Sequence, residues 1–298
     1  MSVLRPGEIE PHSGQHFDGI MTRLHGDPGF RIEADLHSGR QQLHVSLAET
    51  SFFAFRLTQW LANNPRRTRP DHAFQSRLFS VNLLLIDDAD RVLLIRRADA
   101  ITHGGLFAGA VSGAIEVVDR EGIAADLDTY GLPDPMATLI REAREELGVD
   151  ISQPQNKLGV IGLIEVMAPI DMHTHVLTAT ARIEGDATAF RIVTGLADDI
   201  EGAWEVGKEA MVIDLRTALS SPMALQNFVD WRRGAPELLP HAVGGILLLL
   251  RARVQSAADT IRQAGGVTDD LILAALATPA LVAKQRPPSV TVRALRTE

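Results

Sequence analysis

The chain has 298 residues, 45% of them hydrophobic, enough for one large domain or two modest ones with a real core. It contains no cysteine, which excludes a disulfide framework, a thiolate metal site and a cysteine nucleophile. Its net charge of -9 argues against nucleic acid as a main partner, so any phosphate ligand needs local help from a metal or an arginine. Met1 to Pro11 shows no apolar signal core, and the apolar run Ala242 to Leu250 is too short to span a bilayer. The expectation is a cytoplasmic protein with no membrane partner.

Residues 1 to about 30 lack periodicity, with some pairing expected around Phe17 to Leu24. Phe30, Ile32 and Ala34 alternate, as do Leu43, Val45 and Leu47 after His37-Ser38-Gly39, which predicts a β-hairpin. Thr50 is placed to cap a helix over Ser51 to Ala62 that carries Phe52, Phe53, Phe55, Leu57 and Trp60. Asn63 to Asp71 reads as a polar linker, and its Arg66-Arg67-Thr68-Arg69 run reads first as solvated and second as a phosphate contact.

Leu78 to Ile86 reads as a strand, Asp87-Asp88-Ala89-Asp90 as a turn, and Val92 to Ile95 as the partner strand running into Arg96-Arg97. A Gly-rich segment follows from Gly104 to Glu116, and then a Gly/Asp-rich excursion over Val117 to Pro133. Met136 to Leu147 reads as a helix. Met136, Leu139, Ile140, Ala143 and Leu147 form its apolar stripe, Asp134-Pro135 its start, and Gly148 its stop. Glu142, Glu145 and Glu146 fall at i, i+3 and i+4, which predicts three carboxylates side by side on a face away from that stripe. Arg141 stands at the right spacing to pair with Glu145. A hard divalent cation relieves such repulsion, because it takes oxygen ligands from carboxylates and substrate phosphates together. The bland alternative is a solvated helix face.

Leu158 to Met167 and His175 to Ile183 read as strands, with His173 and His175 more simply surface or turn residues than substrate contacts. Helices are expected over Ala218 to Arg232, from His241 to about Val254, and between Ala257 and Lys284, with a tail from Arg286.

Arg141-Glu142-Ala143-Arg144-Glu145-Glu146-Leu147-Gly148-Val149 resembles the second half of a Nudix box, G-x5-E-x7-R-E-U-x-E-E-x-G-U with U aliphatic, with Ala143 a small occupant of the first aliphatic slot. Ser112-Gly113 stands where the family carries Gly-Gly, and Glu116 where an acidic residue often follows. Gly113 and Arg141 are twice as far apart as the pattern requires, and the family's mid-box glutamate falls on Pro133. Val45 to Phe55, the insertion within the box and the Gly-Gly helix after His241 are also similar to features of the UDP-sugar-hydrolysing branch.

The resemblance implies a Nudix α/β/α sandwich with a mixed sheet (residues 76–255), a small β-rich N-terminal domain and linker before it (1–75), and a helical segment and tail after it (256–298). It implies Mg2+, or Mn2+ in its place, held by Glu142, Glu145, Glu146 and the carbonyl of Gly113. Arg141 joins the catalytic set by orienting a carboxylate, and Arg97 contacts a phosphate. The general base is Glu142 or one of Asp198, Asp199 and Glu201, among which spacing does not choose. The implied partner is a small-molecule nucleotide. The implied reaction is cleavage of a UDP-sugar to UMP and sugar 1-phosphate; the alternatives are an ADP-ribose, dinucleotide or modified nucleoside triphosphate hydrolase, and a non-catalytic nucleotide-binding module. Many relatives dimerise. Phe52 to Phe55 would serve a homodimer contact, or more simply the packing of their own domain.

Overall fold

A computed structural model of the chain describes residues 20–26, 29–34, 41–63, 76–99, 104–118, 125–166, 174–187, 190–192, 206–234, 237–256, 289–294 and 296–297. Its contacts cluster into two units. The first comprises Met1–Val81, Ala114–Thr138 and Glu165–Leu177; the second comprises Asn82–Gly113, Leu139–Ile164 and Thr178–Glu298.

The first unit begins with four short strands, β1 (Ile20–Leu24), β2 (Phe30–Ala34), β3 (Gln41–Val45) and β4 (Leu47–Ser51), and a helix, α1 (Phe52–Asn63). The alternating residues form the expected antiparallel hairpin, with Phe30 opposite Val45 and Ile32 opposite Leu43. Leu47 does not continue it. Ser46 separates the two strands, donating its N–H to Gly29 and accepting from His25 through its carbonyl, and Leu47 then pairs with Leu24 of β1. Thr50 does not cap α1. It lies within β4, its hydroxyl 2.6 Å from that of Ser76, and the cap is Ser51, whose Oγ accepts from the Ala54 N–H at 3.1 Å. Phe55 is buried. His175 is not a surface histidine: it is buried in the strand Thr174–Arg182, its ring centroid 6.4 Å from that of Phe30 and its Nε2 3.7 Å from Glu165 Oε1. Every residue from Thr174 to Ala179 is buried, so His175 is covered whichever face of the strand it takes. His173, the Arg66 to Arg69 run and the turn at His37-Ser38-Gly39 lie outside the described residues.

The second unit holds most of the larger sheet. The remaining elements lie in it wholly or, for β5, β8, α2, β9 and β10, in part: β5 (Phe79–Ile86), β6 (Arg91–Arg97), β7 (Phe107–Gly109), β8 (Val111–Ala114), α2 (Pro135–Leu147), β9 (Gly159–Val166), β10 (Thr174–Arg182), β11 (Arg191–Ile192), β12 (Val206–Asp214), α3 (Leu215–Ala218), α4 (Pro222–Gly234), α5 (Pro240–Ser256), β13 (Val290–Ala294) and β14 (Arg296–Thr297). Eight strands form one sheet in the order β13-β12-β6-β5-β10-β9, with β7 on β6 and β8 on β5. This is the expected mixed α/β class, with a large sheet, few helices and a β-rich N-terminal region.

The unbroken apolar run in β5 explains its place inside the sheet. Leu83, Leu84 and Leu85 are all fully buried, so both faces of the strand are covered. Leu84 and Ile86 share one core cluster with Leu94 of β6, Met211 and Ile213 of β12, Phe228 of α4, and Ile246 and Leu250 of α5. The β5–β6 hairpin closes on Asp87, whose Oδ1 accepts from the N–H groups of Ala89 and Arg91, while Asp90 takes the left-handed conformation at φ 64°. The single helix expected over Ala218 to Arg232 is two. Pro222 starts α4 at a position where its missing N–H costs nothing, and Ser221 Oγ caps Ala224 N–H at 3.1 Å. Residues that read as a tail supply β13, which pairs antiparallel with β12, Thr291 opposite Val212. Among the described residues no helix is long and apolar enough to cross a membrane.

Candidate active site

Local rules build α2. Asp134 Oδ1 accepts the Met136 N–H at 2.8 Å at its start. At its end Gly148 takes φ 68°, its N–H bonding the Arg144 carbonyl at 2.9 Å while the Val149 N–H bonds that of Ala143 at 3.0 Å. Leu139, Ala143 and Leu147 are fully buried. The helix is therefore held at both ends and along one stripe, and the phase of its glutamates follows.

Those glutamates are not a solvated face. The side chains of Arg141, Glu142 and Glu145 are only 14%, 13% and 21% exposed, and Glu146 is 5% exposed. Glu146 departs from the expectation that all three carboxylates point away from the stripe. It follows Leu139 by seven residues and Ala143 by three, so it sits on the edge of the buried face. Arg141 bridges the other two: Nη1 donates to Glu145 Oε2 at 2.8 Å, as its spacing predicts, and Nη2 to Glu142 Oε1 at 3.1 Å. One guanidinium thus offsets the like-charge repulsion of a carboxylate pair at i and i+3.

Gly113, on β8, lies directly against Glu142. A Cβ placed on Gly113 would run into the Glu142 carboxyl group, so a larger residue there would have to move that side chain. The neighbouring Ser112 Oγ accepts from Arg97 Nη1 at 2.9 Å, which ties the end of β6 to the same strand. The backbone of Arg97 is itself fixed, its N–H bonded to the Leu106 carbonyl and its carbonyl to the Gly105 N–H. The second unit therefore brings together Arg97, Ser112, Gly113, Arg141, Glu142 and Glu145. Asp198, Asp199 and Glu201 lie outside the described residues.

The excursion between β8 and α2, described within the first unit, is a closed loop at its base. Asp126 N–H bonds the Glu116 carbonyl at 2.7 Å, and Asp126 Oδ2 accepts both the Glu116 N–H and the Thr138 hydroxyl at 3.0 Å. Leu127 and Pro133 form a bridge, and Asp128 Oδ1 collects the N–H groups of Tyr130 and Leu132. Asp126 was not singled out by the sequence. It sits in an aperiodic Asp-rich stretch, and only its partners mark it.

No family model matches the chain, and no curated protein matches it. Solved structures do. A MutT protein from Methanosarcina mazei Go1 is 14% identical over 61% of this chain and 96% of its own, with a TM-score of 0.31. A NUDIX family hydrolase from Clostridium perfringens is 14% identical over 58% and 96%, also at 0.31. The NUDIX domain of Shewanella oneidensis NrtR, complexed with ADP ribose, is 18% identical over 42% and 70%, at 0.26. At these identities and TM-scores the likeness carries no functional weight, and the site stands on its own residues.

The chemistry of those residues fits a hard cation: the carboxylates of Glu142 and Glu145 are the oxygen donors Mg2+ prefers, and the Gly113 backbone lies close against the first of them. Among the described residues no three His, Cys, Asp or Glu side chains are already gathered as a metal cage. Arg141 pairs with both Glu142 and Glu145.

Proposed function

We propose that the chain is a Mg2+-dependent Nudix pyrophosphohydrolase that cleaves a nucleoside diphosphate linked to another group, with a UDP-sugar as substrate and UMP and sugar 1-phosphate as products. The observation that supports this most is the approach of Gly113 to Glu142 on a helix whose Arg141 also holds Glu145. It joins the two halves of the box motif despite the doubled spacing between them.

In this reading Glu142, Glu145, Glu146 and the Gly113 carbonyl hold the metal. When bound, Mg2+ supplies charge neutralisation for the diphosphate and lowers the pKa of a coordinated water. Arg97, braced by Ser112, binds a phosphate oxygen. Arg141 orients Glu142 and Glu145 and keeps them paired until a cation competes for their oxygens. Glu142, or one of Asp198, Asp199 and Glu201, accepts the proton of the attacking water. The uridine and sugar preference rests on the sequence likeness around Val45 to Phe55 and His241 to Leu250.

The test is release of UMP and glucose 1-phosphate from UDP-glucose, with and without Mg2+, for the natural chain and for Glu146→Gln. The expected result is Mg2+-dependent UMP formation that falls at least about a hundredfold in the variant, equivalent to about 2.7 kcal/mol of transition-state stabilisation. Turnover of ADP-ribose, a dinucleotide or a nucleoside triphosphate in place of UDP-glucose would move the substrate and leave the chemistry. Nucleotide binding with no turnover of any of them would make the chain a binding module.

A further inference from the structure

The loop that carries Gly113 and the helix that carries the glutamates are separated by a long excursion. Such a loop lets the two ends drift, because loop closure costs entropy and each added residue enlarges the ensemble to be ordered. Among the described residues of this one, a buried carboxylate spans its base. Asp126 is 3% exposed. Its Oδ2 accepts from the Glu116 N–H, three residues past Gly113, and from the hydroxyl of Thr138, one helical turn before Glu142. Its backbone completes the clamp: the N–H bonds the Glu116 carbonyl, and the carbonyl accepts the N–H of Asp134, the cap of α2. Thr138 is fully buried, and its hydroxyl has the Asp126 carboxylate at 3.0 Å and the Asp134 carbonyl at 3.2 Å as acceptors rather than bulk water.

We propose that Asp126 is the positioning residue of the site: it holds the strand end after Gly113 and the first turn of α2 in register, so that the glutamates meet the glycine backbone although the box between them is interrupted. The inference rests on the metal-binding role proposed for Gly113 and Glu142. Asp126 itself touches neither substrate nor metal. Its effect is on how closely the oxygen donors are pre-arranged, which is where outer partners of metal ligands act.

The experiment compares the natural chain with Asp126→Ala, Asp126→Asn and Thr138→Val. Two readouts are taken: peptide-level hydrogen exchange without added metal, and the Mg2+ dependence of UDP-glucose cleavage. Asp126→Ala is expected to speed exchange over residues 110–118 and 135–147 while the strands Arg91–Arg97 and Val206–Asp214 keep their protection. It is also expected to raise the half-saturating Mg2+ concentration about tenfold, with a smaller change in kcat. Asp126→Asn keeps an acceptor oxygen for both donors and is expected to stay near the natural chain, and Thr138→Val to shift both readouts in the same direction but less. Unchanged exchange in Asp126→Ala overturns the proposal. So does a loss of protection spread evenly over the sheet, or an asparagine variant as impaired as the alanine one. A natural chain without Mg2+-dependent turnover overturns the proposed function, and the exchange pattern then decides the positioning role alone.

Discussion

Gly113 separates the steric demands of the site from those of the backbone. It is not among the glycines with positive φ, so alanine meets no conformational penalty of its own there. What an added methyl meets is the Glu142 carboxyl. Gly113→Ala is therefore expected to push Glu142 aside and, under the proposed function, to lower kcat/KM more than tenfold, while costing about 1–3 kcal/mol of stability. Urea unfolding and steady-state kinetics on the same preparation check the two effects. Full activity in a folded alanine variant would mean that the close approach serves packing alone.

At the scale of the element, α2 is fixed by its ends. Asp134 supplies the first unpaired N–H groups with an acceptor, and Gly148 turns the chain out through a conformation that costs other residues about 1 kcal/mol or more. Asp134→Ala and Gly148→Ala are each expected to lower stability by about 1 kcal/mol in urea unfolding. The two positions lie about 20 Å apart along the helix, so the double variant should show the sum of the two losses. The same element explains the burial of Glu146, since a residue three after Ala143 and seven after Leu139 shares their face.

At the scale of the whole molecule, Asp87 contributes to the acid limb of stability. This carboxylate is fully buried. Burial raises its pKa, but the N–H groups of Ala187 and Arg91 and the Arg91 guanidinium outweigh burial and hold it below the ordinary carboxylate value. Arg91 reaches Asp87 Oδ2 at 2.7 Å and Asp186 Oδ1 at 2.6 Å, joining the β5–β6 turn to the segment after β10. With the folded pKa below the unfolded one, the stabilisation is complete above the unfolded value, near 3.9, and is lost as pH falls towards the folded value. Asp87→Asn leaves Arg91 without its buried counter-charge and is expected to cost about 3 kcal/mol at pH 7. The difference from the natural chain should shrink below about pH 4, where the natural carboxylate protonates too. Urea midpoints at pH 7 and pH 3 check this, and equal differences at both would show that Asp87 acts through shape rather than charge.

Much of this protein was readable along the chain because the relevant rules are local. The hairpin Phe30–Val45, the strands β5 and β6, both ends of α2, and the Arg141–Glu145 pair all follow from side-chain periodicity, caps and neighbour spacing within a few residues. Where two local rules competed, tertiary pairing chose. Pairing of β4 with β1 took Thr50 into a strand and left Ser51 to cap the helix. Packing beside Phe30 made a buried residue of His175. Three features had no local signal at all. Asp87 finds Ala187 a hundred residues on, Asp126 joins Glu116 to Thr138, and Gly113 reaches Glu142 across an interrupted motif. The glutamates and their spacing were determined by the sequence itself, because a helix places its side chains by count alone. That Gly113 meets one of them, Glu142, follows from no count along the chain and is seen only in the folded structure, because the motif between them is interrupted.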